Sequence, residues 1–388
     1  MKDPDIESTG TPAQGAAALQ PIPVMRPLLP PAADIVPYLE EIDRNRWYSN
    51  LGPLACRFED RLGEHFRSGP GSMAAVSNGT AGLTLALKAV GAPSGALCML
   101  PAFTFTASAS AVLAAGLVPW FVDVDPGSWA LEPQKAMAYL RLAPGRVAAV
   151  MPVSVFGRPV GVAQWDEFAG TTGIPAVIDG AASFDAAEVG RSPVVLSLHG
   201  TKVFGVGEGG LVMSRDSGIV SRVHSLSNFG FPIAAGRKIA RRSAVLPGLN
   251  GKFSEYAAAV GLAGLDSWTM SRARFLAVRD DYLEVMTGLP GLQPQPGGRE
   301  PWVSATINFS VAAGRAKSLI TGLEQHNIQA RSWWGDGCHA APAFEGCPKT
   351  ALPVTEDLVN RVIGLPFYAD MTHDEILRVR TALSALLI

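Results

Sequence analysis

The chain reads as an α/β protein: a large domain on a mostly parallel central sheet, followed by a smaller C-terminal α/β domain. Three observations point there. From residue 73 onward, short continuous apolar runs alternate with helical segments, as strands buried on both faces of a parallel sheet do. A long helical block from Ser254 to about Met286 then runs into the Pro/Gly-rich stretch LPGLQPQPGGREP at 289–301. Beyond it the pattern restarts as strand, helix, strand, helix.

Taken in order, residues 1–20 lack both a basic start and a hydrophobic centre, so they read as a flexible tail and not a signal peptide. Residues 21–288 are expected to form the large domain with an N-terminal arm, and 289–388 the small one. MAAV (73–76) precedes the helical TAGLTLALKAV, ALCML (96–100) precedes TASASAVLAAG, and LVPWFVDV (117–124) precedes EPQKAMAYLRL. RVAAVMPVSV and IPAVID continue the series, and VVLSLHG and GGLVMSRD read as strands joined by a glycine loop. At the far end Thr372 and Glu375 have capping-box spacing, with Ile376, Val379, Leu383 and Leu386 supplying an apolar face. Right-handed crossovers bring the strand C-terminal ends to one edge, where ligands bind in such sheets.

Composition removes several classes of function. A net charge of −2 offers no field for nucleic acid or an anionic membrane surface. No apolar run reaches the length of a bilayer span, so a cytoplasmic protein is expected. Cys56, Cys98, Cys338 and Cys347 have no short paired spacing. A grouping of Cys338, His339 and Cys347 matches no usual zinc pattern, so reduced thiols and no metal are expected.

Three places carry chemistry. SNGTAGL puts Ser77, Asn78, Gly79 and Thr80 between a strand and a helix, where free N–H groups form an anion site; Asn78 or Thr80 would cap the helix in the ordinary reading. Asp179 ends a buried apolar run at the ligand edge, and a buried carboxylate needs a cationic partner. Lys202, in SLHGTKVFGVGEGG, follows an apolar strand and emerges at the same edge. A lysine held partly away from water has a depressed pKa and attacks carbonyls. The glycines follow this lysine, so the stretch is not a Walker loop, and a strand after it excludes a dinucleotide fingerprint. Together, a phosphate grip, an acid for a pyridine nitrogen and an amine for a covalent anchor suit pyridoxal 5'-phosphate (PLP).

The ordered segments SNGTAGL, PAFTFTASASAV, VIDGAASFDA, SLHGTKVFGVGEGGLV, GLNGKFSEYAAAVGL and IGLPFYADMTHDEI resemble the DegT-type sugar aminotransferases, from about residue 20 to the C-terminus. That resemblance implies a fold-type-I PLP-dependent transferase acting on nucleoside-diphosphate-linked keto-sugars in amino-sugar and polysaccharide biosynthesis. Lys202 would anchor the cofactor and shuttle protons, and Asp179 would pair with the pyridine nitrogen. Gly79, Thr80, Ala81 and Ser197 would hold the phosphate, and Phe105 would stack on the ring. Where relatives often place Gln three residues after the Asp, this chain has Ala182, followed by Ser183. Retention of Lys202 favours transamination over the dehydratases that carry histidine there. The remaining alternatives are another fold-type-I reaction or a PLP-binding regulator without turnover. Trp47, Tyr48, Asn50, Arg331, Trp334 and His339 would line the sugar-nucleotide site. Glutamate would be the amino donor. Asn250 and Lys252 would reach the phosphate of the neighbouring subunit in a homodimer with shared sites.

Overall fold

A computed structural model describes residues 20–234, 238–241 and 243–387. The tail expected at 1–20 lies, apart from Gln20, outside the described residues. Seven strands form the central sheet: β1 (Met73–Val76), β2 (Leu97–Pro101), β3 (Val118–Val122), β4 (Val147–Val150), β5 (Ile178–Asp179), β6 (Val194–Ser197) and β7 (Gly210–Met213). β1, β7, β6 and β5 are hydrogen-bonded in that order, and β3, β2 and β4 form the other part. Parallel bridges Val150–Ala176 and Val153–Asp179 join β5 to β4, giving the order β1-β7-β6-β5-β4-β2-β3. Its pairs are parallel except for β7, which runs antiparallel between β1 and β6. The expectation of a mostly parallel sheet holds, and the reversal follows from the loop carrying Lys202, which turns the chain straight back beside β6. The strand positions are nearly all buried and apolar, as a sheet covered on both faces requires.

Helices α1 (Ala32–Asn45), α2 (Pro53–His65), α3 (Gly79–Ala89), α4 (Thr106–Ala114), α5 (Pro133–Leu140), α6 (Val162–Thr172) and α7 (Ser217–Ser227) accompany this sheet. A small hairpin, β8 (Ile233–Ala234) and β9 (Lys238–Ile239), precedes α8 (Glu255–Val285). α8 starts where the Ser254 side chain accepts from the Ala257 N–H, and α1 and α2 lie along it.

The C-terminal unit is an antiparallel sheet of β10 (Gln293–Pro294), β11 (Ile307–Ser310) and β12 (Val362–Leu365). It carries α9 (Ala316–Gln325), α10 (Pro353–Leu358) and α11 (His373–Leu386). The Thr372–Glu375 capping box forms at the start of α11, with Ile376, Val379 and Leu383 buried. The N-terminal arm joins this unit: Ile22 bridges Ile328, and the Phe367 N–H donates to the Val24 carbonyl. One continuous apolar core runs from the central sheet through α8 into this unit. No described helix is long and apolar enough to cross a membrane.

Candidate active site

The sheet register builds the site. Val76 lies opposite Gly210, Gly210 lies opposite Ser197, and Asp179 pairs with Val195 two residues before Ser197. The start of α3, the end of β6 and the end of β5 therefore share one edge. Close backbone approach makes this possible only with glycine at two points. A Cβ on Gly79 would lie 3.0 Å from the Ser197 Cβ, and one on Gly210 would lie 2.5 Å from the Asn78 carbonyl carbon and oxygen.

Asn78 caps α3, its Oδ1 accepting from the Ala81 N–H at 2.8 Å. The Ala81 amide is thereby engaged. The Gly79 and Thr80 N–H groups stand in the first turn, where no helical carbonyl precedes them. With the Ser197 hydroxyl, which lies against Gly79, they form a cup suited to an anion. Phe105, just before α4, is 57% exposed, which leaves its ring face free to carry a flat partner.

Asp179 is buried, and both of its oxygens are held by neutral donors. Oδ2 accepts from the Ser108 hydroxyl at 2.6 Å, and Oδ1 from the Ala181 N–H at 3.1 Å. Burial pushes its carboxyl above the ordinary range, opposed by Ser108, the Ala181 N–H and the field of Lys202. Burial lowers the Lys202 ammonium from its ordinary value, with Asp179 opposing. Among the described residues Lys202 Nζ donates no hydrogen bond, so the amine is free to react. Its loop is closed by Leu198–Gly209 and Gly200–Gly207 backbone bonds, and the Lys202 N–H donates to the His199 carbonyl.

A buried acid, an amine with a lowered pKa, an anion cup and a free aromatic face fit PLP group by group. Next to Ala182, the Ser183 hydroxyl donates to the Gly180 carbonyl.

The other expected residues have the following surroundings. Trp47, Tyr48 and Asn50 lie in an exposed loop against the start of α8; Tyr48 stacks on Tyr256 at 6.2 Å, and the Glu255 N–H donates to the Tyr48 carbonyl. Asn50 has φ +65°, a left-handed conformation that Asn tolerates. Trp334 packs on Phe156 at 4.1 Å and edge-on to Phe103 at 4.7 Å, two residues before Phe105. Arg331 is exposed beside Trp333. His339 lies near Phe121, its pKa lowered by burial and by Lys349. Among the described residues no side chain of this group hydrogen-bonds to Lys202 or Asp179. Asn250 and Lys252 run along the outer edge of β1, where Lys252 bridges Val76. Lys252 Nζ lies 2.5 Å from Asn250 Oδ1 and 4.3 Å above the Phe229 ring. Among the described residues no cluster of His, Cys, Asp and Glu is arranged to hold a metal ion.

Sequence reading missed Thr104 and Ser108. The available signal was two hydroxyl residues four apart, straddling a helix start beside Phe105. A doubly wound sheet with lysine and aspartate on adjoining strand ends defines a fold-type-I PLP-dependent transferase. The chain belongs to the DegT/DnrJ/EryC1/StrS aminotransferase family, whose profile matches residues 31–384. It is an aminotransferase and its cofactor is PLP. Protein Rv3402c of Mycobacterium tuberculosis is 32% identical, covering 95% of this chain and 90% of that one. The dTDP-4-amino-4,6-dideoxy-D-glucose transaminase of Shigella dysenteriae is also 32% identical, covering 92% and 96%. The crystal structure of DesI with its TDP-sugar product superposes with a TM-score of 0.84 at 30% identity, covering 96% and 94%.

Proposed function

We propose that this aminotransferase converts a keto group on a nucleoside-diphosphate-linked deoxysugar into an amine, with glutamate as donor, as a homodimer with shared sites. The observation that carries the reading is the Lys202–Asp179 pair at one sheet edge beside the Gly79–Thr80–Ser197 cup. The substrate class rests on the likeness to DesI and to the Shigella transaminase along most of the chain.

PLP, when bound, supplies an electron sink that makes the proton on the amine-bearing carbon acidic. Lys202 would hold the cofactor covalently between turnovers. Its amine, which burial holds toward the uncharged form, would take and return that proton. Asp179 keeps the ring nitrogen protonated, as only an ionised carboxylate does well. The cup would hold the phosphate end, and Phe105 would cover one face of the ring. Lys252 has no carboxylate within ion-pairing distance among the described residues, so its charge is available to an anion. The exposed Phe229 beside it and the exposed Tyr48–Tyr256 stack offer a surface for a second subunit.

The test is a panel of keto-sugar nucleotides incubated with glutamate and the PLP-loaded protein, read by mass spectrometry. Conversion of a keto-sugar to its amino counterpart is expected. A protein that is aminated by glutamate yet converts none of the panel would refute the sugar-nucleotide reading.

A further inference from the structure

A third hydroxyl extends the contacts of Asp179. Thr104 lies in the turn between β2 and α4, Ser108 in the first turn of α4, and the two oxygens are 2.8 Å apart. Thr104 is 1% and Ser108 0% exposed, so water is no substitute partner for either. An ionised carboxylate only accepts, so the 2.6 Å contact uses the one hydrogen of Ser108. The Thr104–Ser108 contact must then run from Thr104 to Ser108. The result is a directed chain, Thr104 to Ser108 to Asp179, with each hydroxyl polarising the next.

We propose that Thr104 and Ser108 are positioning residues that keep the Asp179 carboxylate ionised and aimed at the cofactor's ring nitrogen. This rests on the reading that Asp179 meets that nitrogen. A cation in place of the hydroxyls would hold the acid ionised but cancel its charge. Neutral donors stabilise the charge and leave it whole for the ring. Ser108 on Oδ2 and the Ala181 N–H on Oδ1 also fix the plane of the carboxylate. Among the described residues, Lys202 is the charged group whose field reaches Asp179. The turn that carries the relay also carries Phe105, since the Ser108 N–H donates to the Phe105 carbonyl. The platform for the ring face and the support for its nitrogen partner are thus one rigid piece.

The experiment measures PLP dissociation constants across pH for the full chain and four variants: Ser108→Ala, Ser108→Thr, Thr104→Val and Asp179→Asn. Loss of the Ser108 hydroxyl raises the carboxyl pKa further, so the acid limb of PLP binding moves to higher pH. Ser108→Ala is expected to weaken binding about tenfold, the scale of a hydrogen bond to a charged group. Thr104→Val is expected to act in the same direction by about twofold, because it touches the acid only through Ser108. Ser108→Thr, which keeps the hydroxyl, restores the wild-type limb. Unchanged affinity and acid limb in Ser108→Ala and Thr104→Val, with both altered in Asp179→Asn, overturn the relay and leave the role of Asp179 standing. An unaltered Asp179→Asn overturns that underlying role instead. Should Ser108→Ala not fold, Thr104→Val decides alone.

Discussion

Two aspartates sit buried at the C-terminal ends of parallel strands in this sheet, and they do different work. Asp123, directly after β3, accepts from the Val354 and Thr355 N–H groups and from the Thr355 hydroxyl, all at 2.8 Å. It caps the first turn of α10, and its acceptor capacity is spent on the fold. Asp179, the last residue of β5, accepts from one hydroxyl and one N–H and has an amine nearby. Burial is similar, at 3% and 5% exposure, so burial does not separate them. Spare acceptor capacity beside an amine does. A buried acid that is fully bonded holds a structure together, whereas one left partly bonded beside an amine is reserved for a ligand.

Substitutions test that distinction. The largest effect belongs to the amine that faces Asp179: Lys202→Ala should lose about a thousandfold or more of turnover while keeping the fold. In the wild type, borohydride should fix PLP to the peptide containing Lys202; a label on any other lysine refutes the assignment. Next, Asp179→Asn should lose about a hundredfold of rate, roughly 2.7 kcal/mol of barrier, with PLP still bound. Asp123→Asn, measured per bound cofactor, should turn over like wild type. Equal losses in the two variants would erase the difference between the acids.

A third measurement extends the same logic across two subunits. If sites are shared as proposed, Lys202→Ala chains mixed with doubly substituted Asn250→Ala, Lys252→Ala chains would give heterodimers with one intact site and one doubly defective site. At equal amounts and full exchange, about a quarter of wild-type activity should return, since half the dimers are mixed. Confirmed exchange without recovery shows that each site is built from one chain.

The smallest effects are in stability, and they should have opposite signs. Burial raises the Asp179 carboxyl in the folded protein above its unfolded value, so the folded protein binds more protons above the ordinary carboxylate range. Its charge therefore subtracts stability as pH rises through that window, and cofactor-free Asp179→Asn should melt higher than wild type at pH 7. Asp123→Asn should melt lower, at a cost of about 1–3 kcal/mol, because three donors lose a charged acceptor. Calorimetry at pH 7 decides; a shared sign would contradict the division of labour.

What could be read in the chain beforehand tracks how local the determinants are. The Asn78 and Ser254 caps, the Thr372–Glu375 box, Asp179 at a strand end and Lys202 after a strand all rest on short spacings. The order β1-β7-β6-β5-β4-β2-β3 does not, because periodicity reports burial but not the neighbouring strand. Pairing of Ile22 with Ile328 was likewise hidden by its separation. Thr104 and Ser108 were overlooked because hydroxyls at a helix start ordinarily satisfy their own backbone. The packing of the Trp334 ring against Phe156 and Phe103 was hidden in the same way, since it joins segments far apart in the chain.

The insertion of β7 between β1 and β6 has a consequence for how the enzyme is made. Met73 pairs with Met213, so the start of α3 and the lysine loop become neighbours only after a very long stretch of chain has closed on itself. Such closure is slow, and on the ribosome the strand that completes it is synthesised long after Gly79 and Thr80. Until Gly210 arrives against Asn78, β1 has an open edge on that side and the amine has no phosphate grip beside it. Cofactor capture must therefore come late in folding, and a nascent chain halted before residue 210 is a core with an unpaired strand and not an early enzyme.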